Sequence, residues 1–192
     1  MIKGVDISYA NSLDYEDFVA IKDAGFEFVV IRLGFGTHTL DDNFFSHYNN
    51  AKAAGLRISI YHFSEALDTD TAIVEAQFVK RTLEENGIGC ERIWLDMENS
   101  NWKKSQGFDY SMENVTAICK AFLDELAPLN TGVYASLSWL ENYIDWKSLG
   151  CPVWNAEYND EDDFKGAMWQ YTDKEIINGK QFDANISYNG LI

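Results

Sequence analysis

Proline and glycine are sparse: the 192 residues hold 2 prolines and 13 glycines, and neither gathers into a Ser/Gly/Pro-rich stretch. A disordered chain, a collagen-like chain and a long internal linker are thereby disfavoured. Cysteine is scarce too. Cys90, Cys119 and Cys151 are widely spaced, odd in number and without any Cys-x-x-Cys, so neither a disulfide framework nor a zinc knuckle is indicated and unpaired structural thiols are expected. Positive charge is in short supply, with 15 Lys plus Arg against 31 Asp plus Glu and a net charge of −16. Such a surface repels phosphate-rich ligands, which makes nucleic acid a poor partner. Long apolar runs are missing as well. Phe26 to Leu33 is interrupted by Glu27 and Arg32, far short of the roughly 20 residues a membrane helix needs. The start, Met1-Ile2-Lys3-Gly4-Val5-Asp6, lacks the zones of a secretory signal, so a chain made without one, or already processed, is expected. His38, His47 and His62 form no ligand spacing, and no metal or cofactor is expected.

Apolar residues are plentiful by contrast, at 46%, with 15% aromatic. That composition fits one domain over residues 1–192 with one sizeable core. Strand-like runs recur at Lys3–Ile7, Phe28–Leu33, Arg57–Phe63, Arg92–Glu98, Gly132–Ser136, Pro152–Glu157, Ala167–Tyr171 and Gln181–Ile186. Helical patterns lie at Tyr15–Ala24, Asn43–Ala54, Thr71–Glu85 and Met112–Leu126, with a shorter one near Leu137–Tyr143. In the Thr71 segment Ile73, Ala76, Val79 and Leu83 form one apolar stripe, as a helix lying on a sheet requires. Alternating strands and helices predict a largely parallel sheet of right-handed crossovers. Eight strands suggest closure, yet a regular (β/α)8 barrel runs to about 250 residues, and the gaps after Pro152 are too short for crossover helices. The expected α/β architecture is therefore an irregular TIM-like barrel, (β/α)5(β)3, of eight strands and about five helices. An open doubly wound sheet is the alternative, but its glycine-rich phosphate loop after the first strand is absent. Gly34-Phe35-Gly36 follows the second strand without a third glycine and reads as a turn.

Barrel enzymes assemble their sites at strand ends, and here those ends carry unusual cargo. Asp6 closes the first strand and Tyr61-His62-Phe63 the third. Asp96-Met97-Glu98 closes the fourth and Tyr134 lies in the fifth. Trp154 and Tyr158 mark the sixth, Trp169-Gln170-Tyr171 the seventh and Asp183 the eighth. The strongest local signal is Ile93-Trp94-Leu95-Asp96-Met97-Glu98. The period of two turns both carboxylates to one side of an otherwise apolar strand. Repulsion and burial then disfavour ionisation, so one carboxyl keeps a proton near neutrality while its neighbour stays charged. Glycosidic cleavage needs that division of labour. Tyr61, Tyr134, Trp154, Trp169 and Tyr171 are the candidates to stack under sugar rings, whereas His62, out of phase with Tyr61, is expected in the barrel wall.

Taken in order, Gly4-Val5-Asp6-Ile7-Ser8, Ala54-Gly55-Leu56, Tyr61-His62-Phe63, Leu95-Asp96-Met97-Glu98, Val133-Tyr134, Trp154-Asn155-Ala156-Glu157-Tyr158, Trp169-Gln170-Tyr171 and Phe182-Asp183-Ala184-Asn185 resemble the glycoside hydrolase family 25 muramidases. The resemblance spans about Lys3 to Ile186, with Asn155 as one departure from the family pattern. It implies the same irregular eight-stranded barrel and cleavage of the β-1,4 bond between N-acetylmuramic acid and N-acetylglucosamine. By the resemblance Glu98 is the general acid and Asp96 orients or stabilises the charged sugar in a substrate-assisted reaction. Asp6 and Asp183 tune the field and position substrate, and Tyr61, Tyr134 and Trp169 line the cleft. The implied partner is bacterial peptidoglycan, with a wall-binding module outside these residues. The place of action is the bacterial cell wall, reached by a phage-encoded or an extracellular enzyme. A chitinase-type barrel is the second reading. Its Asp-x-x-Asp-x-Asp-x-Glu pattern is broken here by Glu91 and Trp94. A noncatalytic sugar-binding barrel is the third, against which the four intact acids argue.

Overall fold

Strand β1 (Ile2–Ile7) pairs in parallel with β2 (Phe28–Phe35), and that pairing closes the sheet. The computed structural model describes all residues, Met1–Ile192. Going round from β2 come β4 (Arg57–Phe63), β5 (Ile93–Asp96), β6 (Thr131–Ser136), β7 (Val153–Ala156), β8 (Met168–Ile177) and β9 (Lys180–Ser187), which returns to β1. The two-residue β3 (Thr39–Leu40) folds back on β2 as a hairpin around Gly36, which has φ +60°. Of the Gly-x-Gly segment, Gly34 and Phe35 end β2 and Gly36 opens the turn, and the open-sheet alternative is overturned by the closure.

Helices α1 (Tyr15–Asp23), α2 (Phe44–Ala53), α3 (Thr69–Asn86) and α5 (Met112–Leu126) are the four long crossovers, and α6 (Leu137–Asn142) follows β6. Helix α3 begins at an Asp68–Thr71 capping box and stops at Gly87, whose left-handed φ of 60° is costly for any other residue. Two short helices escape the sequence pattern, α4 (Asn101–Ser105) and α7 (Trp146–Leu149). One turn is too short to show a period of 3.6. The chain thus has seven helices, the five expected and these two. None is long and apolar enough to cross a membrane.

The last three strands are joined without regular helices, as the gap lengths require, but their geometry differs from a simple parallel series. Strand β8 runs six residues past its expected end, and β9 is antiparallel to both β8 and β1. A two-residue connection at Asn178-Gly179 leaves no room for a crossover, so the chain must reverse. All three cysteines are free.

Alternation along the strands sorts the core into two parts. Val5, Val29, Ile31, Ile60, Ile93, Leu95 and Val133 join the large cluster between barrel and helices, whereas Phe28, Val30, Trp94, Trp154, Met168 and Ile192 fill the barrel. The barrel is packed rather than hollow, and this packing forms the floor of whatever lies above it. Glycines make space for it: a Cβ on Gly132 would overlap the Trp94 ring and sit 2.8 Å from the Pro152 carbonyl oxygen. We expect Gly132→Ala to lower unfolding free energy by about 1–3 kcal/mol. Urea denaturation measures it, and an unchanged midpoint would refute the close approach.

Candidate active site

The upper ends of the strands bring Asp6, Tyr61, Asp96, Glu98, Tyr134, Trp154, Gln170 and Asp183 around one pocket of about 100 Å³. Asp6 and Asp183 face each other in register across β1 and β9. Because β9 is antiparallel, Asp183 comes from the first half of its strand and not from a C-terminal end. Strand β5 stops at Asp96, and Glu98 lies just beyond it. Both still reach the pocket while the intervening Met97 enters the outer core, which is the alternation expected from Ile93 onward.

A chain of hydrogen bonds holds the far wall. The Trp154 indole N–H donates to Asn185 Oδ1 at 2.9 Å. Asn185 Nδ2 and Gln170 Nε2 each donate to Asp6 Oδ2 at 2.8 Å. The hydroxyls of Tyr134 and Tyr158 donate to Gln170 Oε1 at 2.9 and 3.1 Å. Tyr134 and Tyr61 pack against Trp154 with ring centroids 4.4 and 6.4 Å away, making an aromatic floor. Asp96 differs from Asp6: its Oδ1 is buried and accepts no hydrogen bond.

Every acid in the pocket is driven toward its protonated form. Burial and then the Asp183 charge push Asp6 up to about 8, even though Asn185 and Gln170 pull it down. Burial, then the charge of Glu98, hold Asp96 well above the ordinary carboxylate range, against the counter-pull of Lys103 and Arg32. Glu98 is raised by burial and by Asp183 and lowered by Lys103, and Asp183 by burial and Asp173. Burial and the neighbouring carboxylates raise the Tyr61 and Tyr134 phenols, so both stay neutral donors. Such a site retains protons at neutrality and can pass one to a ligand oxygen.

Two expected platforms are elsewhere. Trp169 and Tyr171 do not line the pocket. Gln170 takes the inward phase of β8 together with Met168, so its aromatic neighbours face outward. The Trp169 indole donates to the Glu157 carbonyl at 2.7 Å, and the Tyr171 hydroxyl donates to Glu175 at 3.0 Å. Gln170 shares the phase of Met168, and it is the packing of Met168 in the barrel core that makes this phase the inward one. His62 lies outside the cleft as expected, wedged between Phe78 and Phe122. Asn155 also faces away, donating to Asp162 at 3.0 Å. Two cations were missed: Arg32, paired with Asp41 at 2.8 Å, and the fully buried Lys103.

No three His, Cys, Asp or Glu side chains gather into a metal-holding group. A larger hollow, about 510 Å³, opens at the opposite end of the barrel beside Cys90 and Arg92. Its acids Glu84 and Glu91 are exposed, and Glu91 is spent on Arg57, so size does not locate the chemistry.

The family described as Glycosyl hydrolases family 25 matches residues 5–180. The chain is 27% identical to the autolytic lysozyme of Clostridium acetobutylicum over 193 residues, which is 96% of this chain and 55% of that protein. To the probable GH family 25 lysozyme 2 of Dictyostelium discoideum it is 28% identical over 198 residues, covering 96% of this chain and 90% of the other. The solved CTP1L endolysin superposes with a TM-score of 0.84 at 25% identity, over all of this chain and 68% of that one. The chain thus spans about half the length of the Clostridium relative.

Proposed function

Because the chain belongs to glycosyl hydrolases family 25, we propose that it is a muramidase. It cleaves the β-1,4 bond between N-acetylmuramic acid and N-acetylglucosamine in bacterial peptidoglycan. The observation that carries this is the convergence of Asp96 and Glu98, both raised, with Asp6 and Asp183 over an aromatic floor.

Glu98, the more exposed of the pair, gives its proton to the glycosidic oxygen as the C1–O bond breaks. The acetamido carbonyl oxygen of the same sugar bonds to C1 and forms a cyclic cation. Asp96, whose Oδ1 has no partner in the pocket, accepts the acetamido N–H and offsets that charge. Water then attacks C1, Glu98 takes back a proton, and the ring opens to the free sugar. Asp6, clamped by Gln170 and Asn185, and Asp183 set the field and seat the hydroxyls. Tyr61 and Tyr134, backed by the buried Trp154, carry the apolar sugar face.

The substrate sets the place of action at the bacterial cell wall. Walls rich in anionic polymers repel a domain of net charge −16, and a wall-binding module tethering it there offsets the repulsion by raising local concentration.

Purified peptidoglycan provides the test: reducing ends should appear and mass spectrometry should find muramic acid at them. Turnover of chitin oligomers alone would favour the chitinase reading, and binding without products the noncatalytic one. The rate should follow a bell in pH, because cleavage needs the pair to hold one proton. It falls at low pH when both acids are protonated and at high pH when both are ionised. Both are raised, so the acidic limb should lie above the ordinary carboxylate range of about 3.9–4.3. A flat rate on soluble oligosaccharide from about pH 4 to 9 would overturn the scheme.

A further inference from the structure

Lys103 is wholly buried, yet its ammonium does not close on a carboxylate. It donates to the Glu98 carbonyl oxygen at 2.8 Å and lies 3.5 Å from Met97 Sδ. A buried charge so placed is costly, and structures keep one when surrounding groups compensate. Three aromatic faces do so in part, with the rings of Phe108, Phe63 and Trp139 centred 5.6, 5.9 and 5.9 Å away.

We propose that Lys103 is a positioning residue of the acid pair: its ammonium holds the main chain at Glu98 in place and supplies the positive charge that leaves Asp96 and Glu98 sharing one proton. The inference rests on the muramidase reading for its meaning in catalysis. Local structure puts Lys103 there. Ser100 caps α4 by accepting the Lys103 amide at 3.0 Å, and from this one-turn helix the Lys103 side chain reaches back to the Glu98 carbonyl. Lys103 therefore lies behind the pocket, three residues into a helix whose other lysine, Lys104, is exposed.

The titratable groups around it come from several elements and oppose the burial that lowers its own hold on a proton. Asp96 and Glu98 face it from the end of β5, Glu75 from α3 and the Cys119 thiol from α5. Glu65 feels it from the segment after β4. His62 of β4 stands 3.6 Å from Glu75 Oε2, and Glu75 Oε1 accepts the Glu65 amide. On the far side Asp96 also feels Asp6 and Arg32, and Glu98 feels Asp183. With Lys103 removed, Asp96 and Glu98 would lose the buried cation they have in common. Protons would then be held more tightly, and both titrations should move to higher pH.

The test is a carboxyl-carbon NMR titration of Asp96 and Glu98 in the free protein, run beside pH–rate profiles. In Lys103→Met both midpoints should rise by about one pH unit, from the loss of one nearby opposite charge. The acidic limb of the rate profile should move with them, with kcat lower by about tenfold to a hundredfold from the loosened Glu98 and KM little changed. Lys103→Arg, which keeps the charge, should restore the midpoints. Lys103→Gln, which keeps a donor without the charge, should recover kcat at its shifted pH optimum and leave the midpoints raised. If Lys103→Met gives no cooperative thermal transition, Lys103→Gln carries the comparison. Unmoved midpoints in a folded Met or Gln variant would overturn the proposal, whatever happens to the rate, since a merely structural anchor does not shift them. The titration needs no turnover, so an inactive wild-type protein would refute the muramidase reading and leave this one to its own result.

Discussion

Glu98→Gln should cleave peptidoglycan about 10²–10⁴-fold more slowly than the wild-type chain, the range that a positioned general acid supplies, and should fold as well. The amide keeps the shape and the polarity of the side chain but carries no transferable proton. Stability should hardly change because Glu98 makes no side-chain ion pair, and its link to the structure runs through its main-chain carbonyl and Lys103. That contact survives the substitution. Initial rates on soluble glycan fragments, with a thermal melt on the same samples, provide the measurement. A folded Glu98→Gln chain working near the wild-type rate would remove Glu98 from the mechanism and leave Asp96 or Asp183 as the donor.

Asp96→Asn should be the second most damaging change, at about 10²–10³-fold in kcat, the size found when one preorganised electrostatic partner of a developing charge is removed. Its stability effect should run the opposite way. Asp96 is 5% exposed, has a buried oxygen with no hydrogen bond, and is held far above the ordinary carboxylate range by burial. Folding around such a group costs free energy, which sites keep when function uses it. The neutral amide relieves the charge, so the denaturant midpoint should be at or above that of the wild type. A variant that is slower only because it unfolds would contradict this account.

The two substitutions bear on residues that could be read directly. Asp96 and Glu98 lie two apart at the end of an apolar run, and a period of two needs no tertiary information to place them on one face. The aromatic residues of β8 misled for a related reason. In Trp169-Gln170-Tyr171 the polar residue faces in and the rings face out. A short strand reads alike in either phase until its neighbours are known. Only the anchoring of Met168 in the barrel core, beside Trp154, settles which phase is inward. Lys103 was invisible for another reason. In Asn-Trp-Lys-Lys-Ser nothing distinguishes it from Lys104, and lysine is almost never fully buried unless it is paired.

Local and periodic signals thus determined the alternating α/β order of the chain, its four long helices, the bare final strands and the carboxylate pair at Asp96 and Glu98, because each depends on neighbours within a turn or on alternation along one strand. The tertiary structure alone decided the rest. It set β9 antiparallel so that Asp183 meets Asp6, which depends on a register between residues more than 170 apart in the chain. It chose Gln170 over Trp169 and Tyr171 for the pocket, and it drew Lys103 under Glu98. These outcomes follow from which surfaces are buried against which, and burial is a property of the closed barrel as a whole: it lifts the acids of the pocket toward their protonated forms, and no single strand carries it.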